Sequence, residues 1–121
     1  MCIGHKGEKI VDFLNSKNNF KLNIHYSSDG KYKLGTGGAV KKALSKINTE
    51  FFFVTYGDSY LLENFNHIEN IFIKKKFNNA MCIYKNFNKL DKSNVKIHSN
   101  KVISYNKNQK DAVFIDYGLS I

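Results

Sequence analysis

Residues Lys33–Tyr60 read KLGTGGAVKKALSKINTEFFFVTYGDSY. A glycine-rich turn opens an amphipathic helix, and the helix leads into an apolar strand that ends at Gly57-Asp58-Ser59. Gly35, Gly37 and Gly38 lack a Cβ, so the backbone there is free to turn tightly and to approach a ligand closely. Thr36 is placed to cap the helix that follows, and a helix N-terminus offers unpaired N–H groups and partial positive charge to an anion or a base edge. Phe51 to Tyr56 has the character of a buried strand, with Asp58 just past its carboxyl end, the rim where open α/β sheets bind ligands. A glycine-rich turn is commonly only a turn, and an aspartate after a strand commonly a turn former. Spacing alone therefore points toward a phosphate or nucleotide site without fixing one.

Working outward, Met1 to Ile3 reads as the end of a strand, and Gly7 to Asn15 as a short helix with Ile10 and Leu14 four apart. Leu22 to Ser27 alternates apolar and polar residues and predicts a half-buried strand. The helix after the glycine-rich turn has an apolar stripe of Ala39, Val40, Ala43, Leu44 and Ile47, leaving Lys41, Lys42 and Lys46 on its wet side. A helix is predicted over Phe65 to Lys75, with Phe65, Ile68 and Phe72 on one side. Ala80 to Tyr84 reads as a buried strand and Asn86 to Ser93 as a loop. Val95 to His98 and Val102 to Tyr105 form a hairpin around Ser99-Asn100, and Ala112 to Tyr117 is a last strand. Strands alternate with helices early and cluster late, which predicts an α/β class with a mixed sheet.

At 121 residues the chain is long enough for one small domain, and 42% apolar with 14% aromatic residues argues against disorder. No run approaches the roughly 18 apolar residues of a membrane span. The charge of +9 arises from 19 basic and 10 acidic residues, and every basic residue is lysine. Bidentate recognition by an arginine fork is excluded, so anions would be handled by lysine point charges or backbone N–H groups. Abundant lysine and asparagine reflect a compositional bias of the source as readily as a selected basic surface. Cys2 and Cys82 form no CxxC pair, and no His/Cys cluster has zinc-ligand spacing. With no leader-like segment, a reducing cytoplasm is the expected location and a membrane is not an expected partner.

LGTGGAVKKAL followed by FFFVTYGDSYL resembles the middle of the sugar-1-phosphate nucleotidyltransferases, the nucleoside-diphosphate-sugar pyrophosphorylases. VISYNK (Val102–Lys107) and FIDYGLSI (Phe114–Ile121) continue the likeness almost to the end of the chain. The LGTGGA form is most similar to the mannose- and heptose-1-phosphate guanylyltransferases. The resemblance implies a Rossmann-like nucleotidyltransferase sheet with flanking helices. It also implies transfer of a nucleoside monophosphate from an NTP to a sugar 1-phosphate with release of pyrophosphate, assisted by Mg²⁺. On this reading Asp58 holds the metal and Lys107 grips the sugar phosphate, although the glutamate that usually precedes that lysine is Asn106 here. Leu34, Gly35, Thr36, Gly37 and Gly38 contact the nucleotide, while Asn94, Asp116 and Gly118 face the sugar.

The same resemblance implies that residues 1–121 are a partial domain. The family's Gly-Thr-Arg triphosphate loop and its second metal-binding aspartate have no counterpart here. The first central strand would then be missing, leaving open strand edges that invite pairing with a complementing segment or a second copy. The chain alone is expected to be marginally stable and inactive. A small basic nucleic-acid-binding module is the alternative, supported by charge and interleaved aromatics and opposed by lysines that are spread rather than clustered. A related glycosyltransferase is disfavoured because the strand ends in one acidic residue rather than an Asp-x-Asp pair.

Overall fold

A computed structural model describes all of residues 1–121, which form two compact units, Met1–Glu50 and Phe51–Ile121. Both helices and strands are present, as the composition and periodicity predict.

In the first unit, β1 (Cys2–Ile3) runs into α1 (Gly7–Ser16), and β2 (Ser27–Ser28) returns parallel to β1, pairing Cys2 with Ser27 and Ile3 with Ser28. This is a β-α-β crossover in miniature. After α1 the chain turns through Asn18, Asn19, Phe20 and Lys21, all with positive φ. The strand predicted over Leu22 to Ser27 is confined to its last residue and Ser28. Alternation supplies a face but not a partner, and β1 offers only two residues to pair with.

Helix α2 (Gly35–Ala43) follows and tightens into a 3₁₀ turn over Leu44–Lys46. Its N-cap is Leu34, without a side-chain cap, so Thr36 lies inside the first turn rather than capping it. Of the three glycines in that turn, Gly35 is the one with a left-handed backbone, φ +70°. Gly38 serves contact instead: a Cβ there would stand 3.0 Å from Leu34 Cβ.

In the second unit a five-stranded antiparallel sheet is built around β7 (Phe114–Ser120). The other strands are β3 (Val54–Thr55), β4 (Met81–Lys85), β5 (Val95–His98) and β6 (Lys101–Tyr105). The mixed sheet expected from sequence is thus an antiparallel sheet here and a separate parallel pair in the first unit. The predicted strand Phe51–Tyr56 contracts to Val54–Thr55, paired with Ser120 and Leu119. Phe51 and Phe53 instead pack on α3 (Phe65–Lys75), through ring contacts of 5.5 Å to Phe72 and 5.2 Å to Phe65. That helix has the predicted bounds because its end signals are local. Asn64 accepts the His67 N–H at 3.2 Å, and Lys76 closes it in the left-handed conformation. The β5–β6 hairpin turns at Ser99-Asn100, both at positive φ, as a two-residue hairpin turn requires. The last strand begins two residues later than predicted, at Phe114, and runs through Gly118 to Ser120.

Phe114 pairs with Lys85 of β4 and Val95 of β5, and Ser120 pairs with Met81 of β4 and Val54 of β3. Strand β4 therefore covers one edge of β7, while β5 and β3 share the opposite edge, β5 at its start and β3 at its end. Between them the ladder on that edge is interrupted at Asp116. The core sits beside this strand: Val95 is 0% and Leu119 1% exposed, with Phe72 and Ala112 also buried.

Candidate functional site

The interruption at Asp116 is filled by side chains. The Asp116 N–H donates to Asn94 Oδ1 at 3.0 Å, so an amide side chain replaces the missing ladder partner. The Asn94 backbone N–H donates to the Phe114 carbonyl at 2.9 Å, and its own carbonyl accepts from the Asn106 N–H at 2.8 Å and Gln109 Nε2 at 2.7 Å. Asn94 is 7% exposed, and these bonds make it a junction of three segments.

The Asp116 carboxylate is equally engaged. Its Oδ2 accepts the Tyr56 hydroxyl at 2.8 Å and the Tyr105 hydroxyl at 3.0 Å, and its Oδ1 accepts the Gly118 N–H at 2.9 Å. The bond from Tyr56 to Asp116 is the main reason the Tyr56 phenol is raised above its ordinary value, with its bond to Tyr105 and burial adding to it. For Tyr105 the hydrogen bond with Tyr56 pulls downward, but burial and the Asp116 carboxylate outweigh it and the phenol is raised. Burial, then Glu63 and Asp116, push the Cys82 thiol up on the neighbouring strand.

Gly118 marks a bulge. From Asp116 to Ser120 the chain advances four positions while β4 advances two, from Ile83 to Met81. Gly118 has φ +81°, and a Cβ there would lie 2.9 Å from Ser59 Oγ and 3.1 Å from Tyr56 Cδ2. The Gly118 carbonyl accepts the Tyr56 N–H at 3.1 Å. The bulge thus seats the Gly57-Asp58-Ser59 turn, where Asp58 is exposed just beyond β3.

Lys107 is exposed on the loop after β6. That loop is tied down by Asn106 at Asn94, by Gln109, whose Oε1 accepts from Ser104 Oγ at 2.9 Å, and by a 2.7 Å ion pair between Lys96 and Asp111. Lys96 holds the Asp111 carboxyl below its usual range. Asp58, Asn94, Lys107, Asp116 and Gly118 are therefore all carried by segments that meet along one edge of β7. Leu34, Gly35, Thr36, Gly37 and Gly38 belong to the first unit, at the start of α2.

Two of these residues also have partners within the chain. Asn94, expected to face a sugar, spends its Oδ1 on the backbone of β7, and Asp116 has three hydrogen bonds from within the chain. A carboxylate has about four acceptor positions, which leaves roughly one for a ligand. Sequence reading assigned no role to Tyr56, Tyr105 or Gln109. The available signal was spacing: each tyrosine stands two residues before a singled-out charge, Asp58 or Lys107.

No group of three or more His, Cys, Asp or Glu side chains gathers in a way that could hold a metal ion. With three hydrogen bonds already on Asp116, the exposed Asp58 is the freer of these two carboxylates. That donor set fits Mg²⁺ as a single protein ligand sharing the ion with water and phosphate oxygens, a coordination Mg²⁺ accepts. No helix is long and apolar enough to cross a membrane. Comparison with protein-family models, with curated proteins and with solved structures finds no match to the chain.

Proposed function

We propose that the chain is a segment of a nucleotidyltransferase that transfers a nucleoside monophosphate from an NTP to a sugar 1-phosphate. A phosphate oxygen of the sugar 1-phosphate attacks the α-phosphorus in line. One P–O bond forms, the bond to the β-phosphate bridging oxygen breaks, and pyrophosphate leaves with that electron pair. Such chemistry asks a protein mainly for positioning and charge neutralisation. The observation that carries the reading is the meeting of the Asp58 turn and the Lys107 loop along one edge of β7, where Asp116 bonds a residue from each. An acid and a base held on a common support suit a substrate that brings both a metal-bound phosphate and a free one.

Lys107 would neutralise the sugar phosphate as a point charge, and Asp116 would accept a sugar hydroxyl at its remaining acceptor position. Gly118, with no side chain, lets the Asp58 turn pack close against β7. Mg²⁺, when bound, supplies charge neutralisation between phosphates, and Asp58 is the residue that would hold it. The turn from Leu34 to Gly38, on the first unit, is assigned to the nucleotide by the resemblance alone. A Rossmann-like sheet belongs to the same proposal, supported by the β1-α1-β2 parallel crossover. So does a cytoplasmic location, supported by two free cysteines. The activity belongs to the chain together with a complementing segment or a second copy.

Calorimetric titration with Mg²⁺ and each NTP tests this. Weak binding by the wild type that Asp58→Asn abolishes is the expected result, with no pyrophosphate release from the chain alone. Binding that ignores Asp58→Asn overturns it. Tight binding of RNA or DNA that falls steeply with salt would instead favour the nucleic-acid module.

A further inference from the structure

We infer that Asp116 is a positioning residue that ties the Asp58 turn to the Lys107 loop, setting the separation of the two charges. The inference rests on the nucleotidyltransferase reading for what those charges do. Its geometry is independent of that reading.

One carboxylate oxygen, Asp116 Oδ2, receives both the Tyr56 and the Tyr105 hydroxyls, at 2.8 and 3.0 Å. Tyr56 precedes Asp58 by two residues and Tyr105 precedes Lys107 by two. The two tyrosines come from strands that do not pair with each other, β6 and the extension of β3. Strand β3 contributes a ladder of only two residues, and the Ser59 N–H to Tyr56 carbonyl bond of 3.3 Å is a weak closure for its turn. The Asp58 turn therefore depends on Tyr56 being held from its far end.

The loop after β6 is anchored at Asn94 by the Asn106 N–H and Gln109 Nε2, and Tyr105 ties its entrance to Asp116. Its closing backbone bond, Gln109 N–H to the Asn106 carbonyl, is 3.4 Å. Charge-assisted hydrogen bonds to one carboxylate are about twice as strong as neutral ones, so a single residue can steady both turns. Asp116 itself is fixed from behind by Asn94 at its N–H and by Gly118 at Oδ1, so the clamp has a rigid base.

The test uses Mn²⁺ and inorganic pyrophosphate with the full chain. Pyrophosphate held between Asp58-bound Mn²⁺ and Lys107 requires both charges at the right separation, whereas Mn²⁺ alone requires only Asp58. Asp116→Asn is expected to weaken Mn²⁺-pyrophosphate binding about tenfold, the equivalent of one good charged hydrogen bond. Binding of Mn²⁺ alone should change by less than about twofold. Tyr56→Phe and Tyr105→Phe, which remove one oxygen each, should give part of that loss and serve if Asp116→Asn does not fold.

Backbone amide exchange supplies the second measurement. Asp116→Asn should accelerate exchange at both Ser59 and Gln109, Tyr56→Phe at Ser59 only, and Tyr105→Phe at Gln109 only. Unchanged Mn²⁺-pyrophosphate binding in all three variants, or exchange changes at one turn alone in Asp116→Asn, overturns the inference. A wild-type chain that binds neither probe removes the nucleotidyltransferase reading, and the exchange pattern still decides whether Asp116 joins the two turns.

Discussion

Residues 1–50 and residues 51–121 are built from similar material and organised to different depths. In the first unit the buried positions are Gly7 and Ser27, and no apolar side chain is fully buried. Phe13, Phe20 and Leu22 are all exposed, and β1 and β2 pair over two residues. In the second unit β7 meets three strands, Val95, Leu119 and Ala112 are buried together with Asn86, Ser93 and Asn94, and Phe72 is buried on α3 against Phe51. The difference is one of partners. A seven-residue strand with neighbours on both edges converts alternating side chains into a core, whereas a two-residue strand with one neighbour leaves the same kinds of side chain in water. Each functional feature inherits that contrast: the glycine-rich turn stands on the shallow unit and the Asp116 clamp on the deep one.

Large-to-small truncation breaks the comparison most sharply. Leu119→Ala should cost about 2–5 kcal/mol, since it removes a fully buried side chain from the central strand. Ile24→Ala in the first unit should cost less, about 1–2 kcal/mol, because Ile24 is only partly buried and no apolar side chain of that unit is fully buried. Urea unfolding followed by far-UV circular dichroism measures both, and equal shifts would mean that the first unit is packed as deeply as the second.

Glycine substitution gives the next largest contrast. Gly35 and Gly118 both have positive φ, so alanine at either pays about 1–2 kcal/mol of backbone strain. A Cβ at Gly35 meets open space, but at Gly118 it meets Ser59 Oγ and the Tyr56 ring. Ser59 is exposed and can rotate away; the ring is held by its hydroxyl at Asp116. Gly118→Ala should therefore destabilise more than Gly35→Ala and should also weaken Mn²⁺ binding at Asp58. Equal losses would show that the bulge does not seat the turn.

Alkaline titration sharpens the picture of the deep unit. The Tyr56 phenol is raised above its ordinary value of 10.0, so the folded chain keeps this proton where the unfolded chain releases it. Its contribution is complete below about pH 10 and is lost as the pH rises through the folded value. Tyr56→Phe should cost about 1 kcal/mol at neutral pH and flatten the decline of the urea midpoint above pH 10. An unchanged slope would remove Tyr56 from the clamp.

The smallest effect is expected at the Lys96–Asp111 pair, 2.7 Å apart but at the surface. Lys96→Ala should return the Asp111 carboxyl from below its usual range to that range in an NMR titration. The urea midpoint should stay in place, since exposed pairs are screened and their side chains mobile.

The loop between β4 and β5 shows how much structure a polar stretch can hide. Asn86 donates to the Asp91 carbonyl at 2.6 Å and to Ser93 Oγ at 3.0 Å, and accepts the Leu90 N–H at 3.0 Å. Ser93 in turn accepts the Asn88 N–H at 3.1 Å, and its own N–H donates to Asn88 Oδ1 at 2.8 Å. The segment reads as an ordinary loop because asparagine and serine are turn formers wherever they occur. Their burial follows from the Asn86 and Phe87 N–H groups reaching the Val113 carbonyl just before β7, which no local pattern announces.

By itself the sequence determined what is local. It specified α1 through apolar spacing, α3 through apolar spacing and end signals, and the hairpin at Ser99-Asn100 through its turn. It also excluded arginine-based phosphate recognition. Asp58, Lys107, Asp116 and Gly118 could be singled out from it, but only as separate points along the chain. Tertiary structure decided how long each strand is, because a strand needs a partner and alternation does not supply one. Leu22–Tyr26 and Phe51–Phe53 stay unpaired for that reason. It also decided that Asp116 and Asn94 turn inward to hold neighbouring segments, and that Tyr56 and Tyr105 share one oxygen. The two tyrosines are 49 positions apart (105 less 56), and only the break in the edge of β7 brings their hydroxyls together.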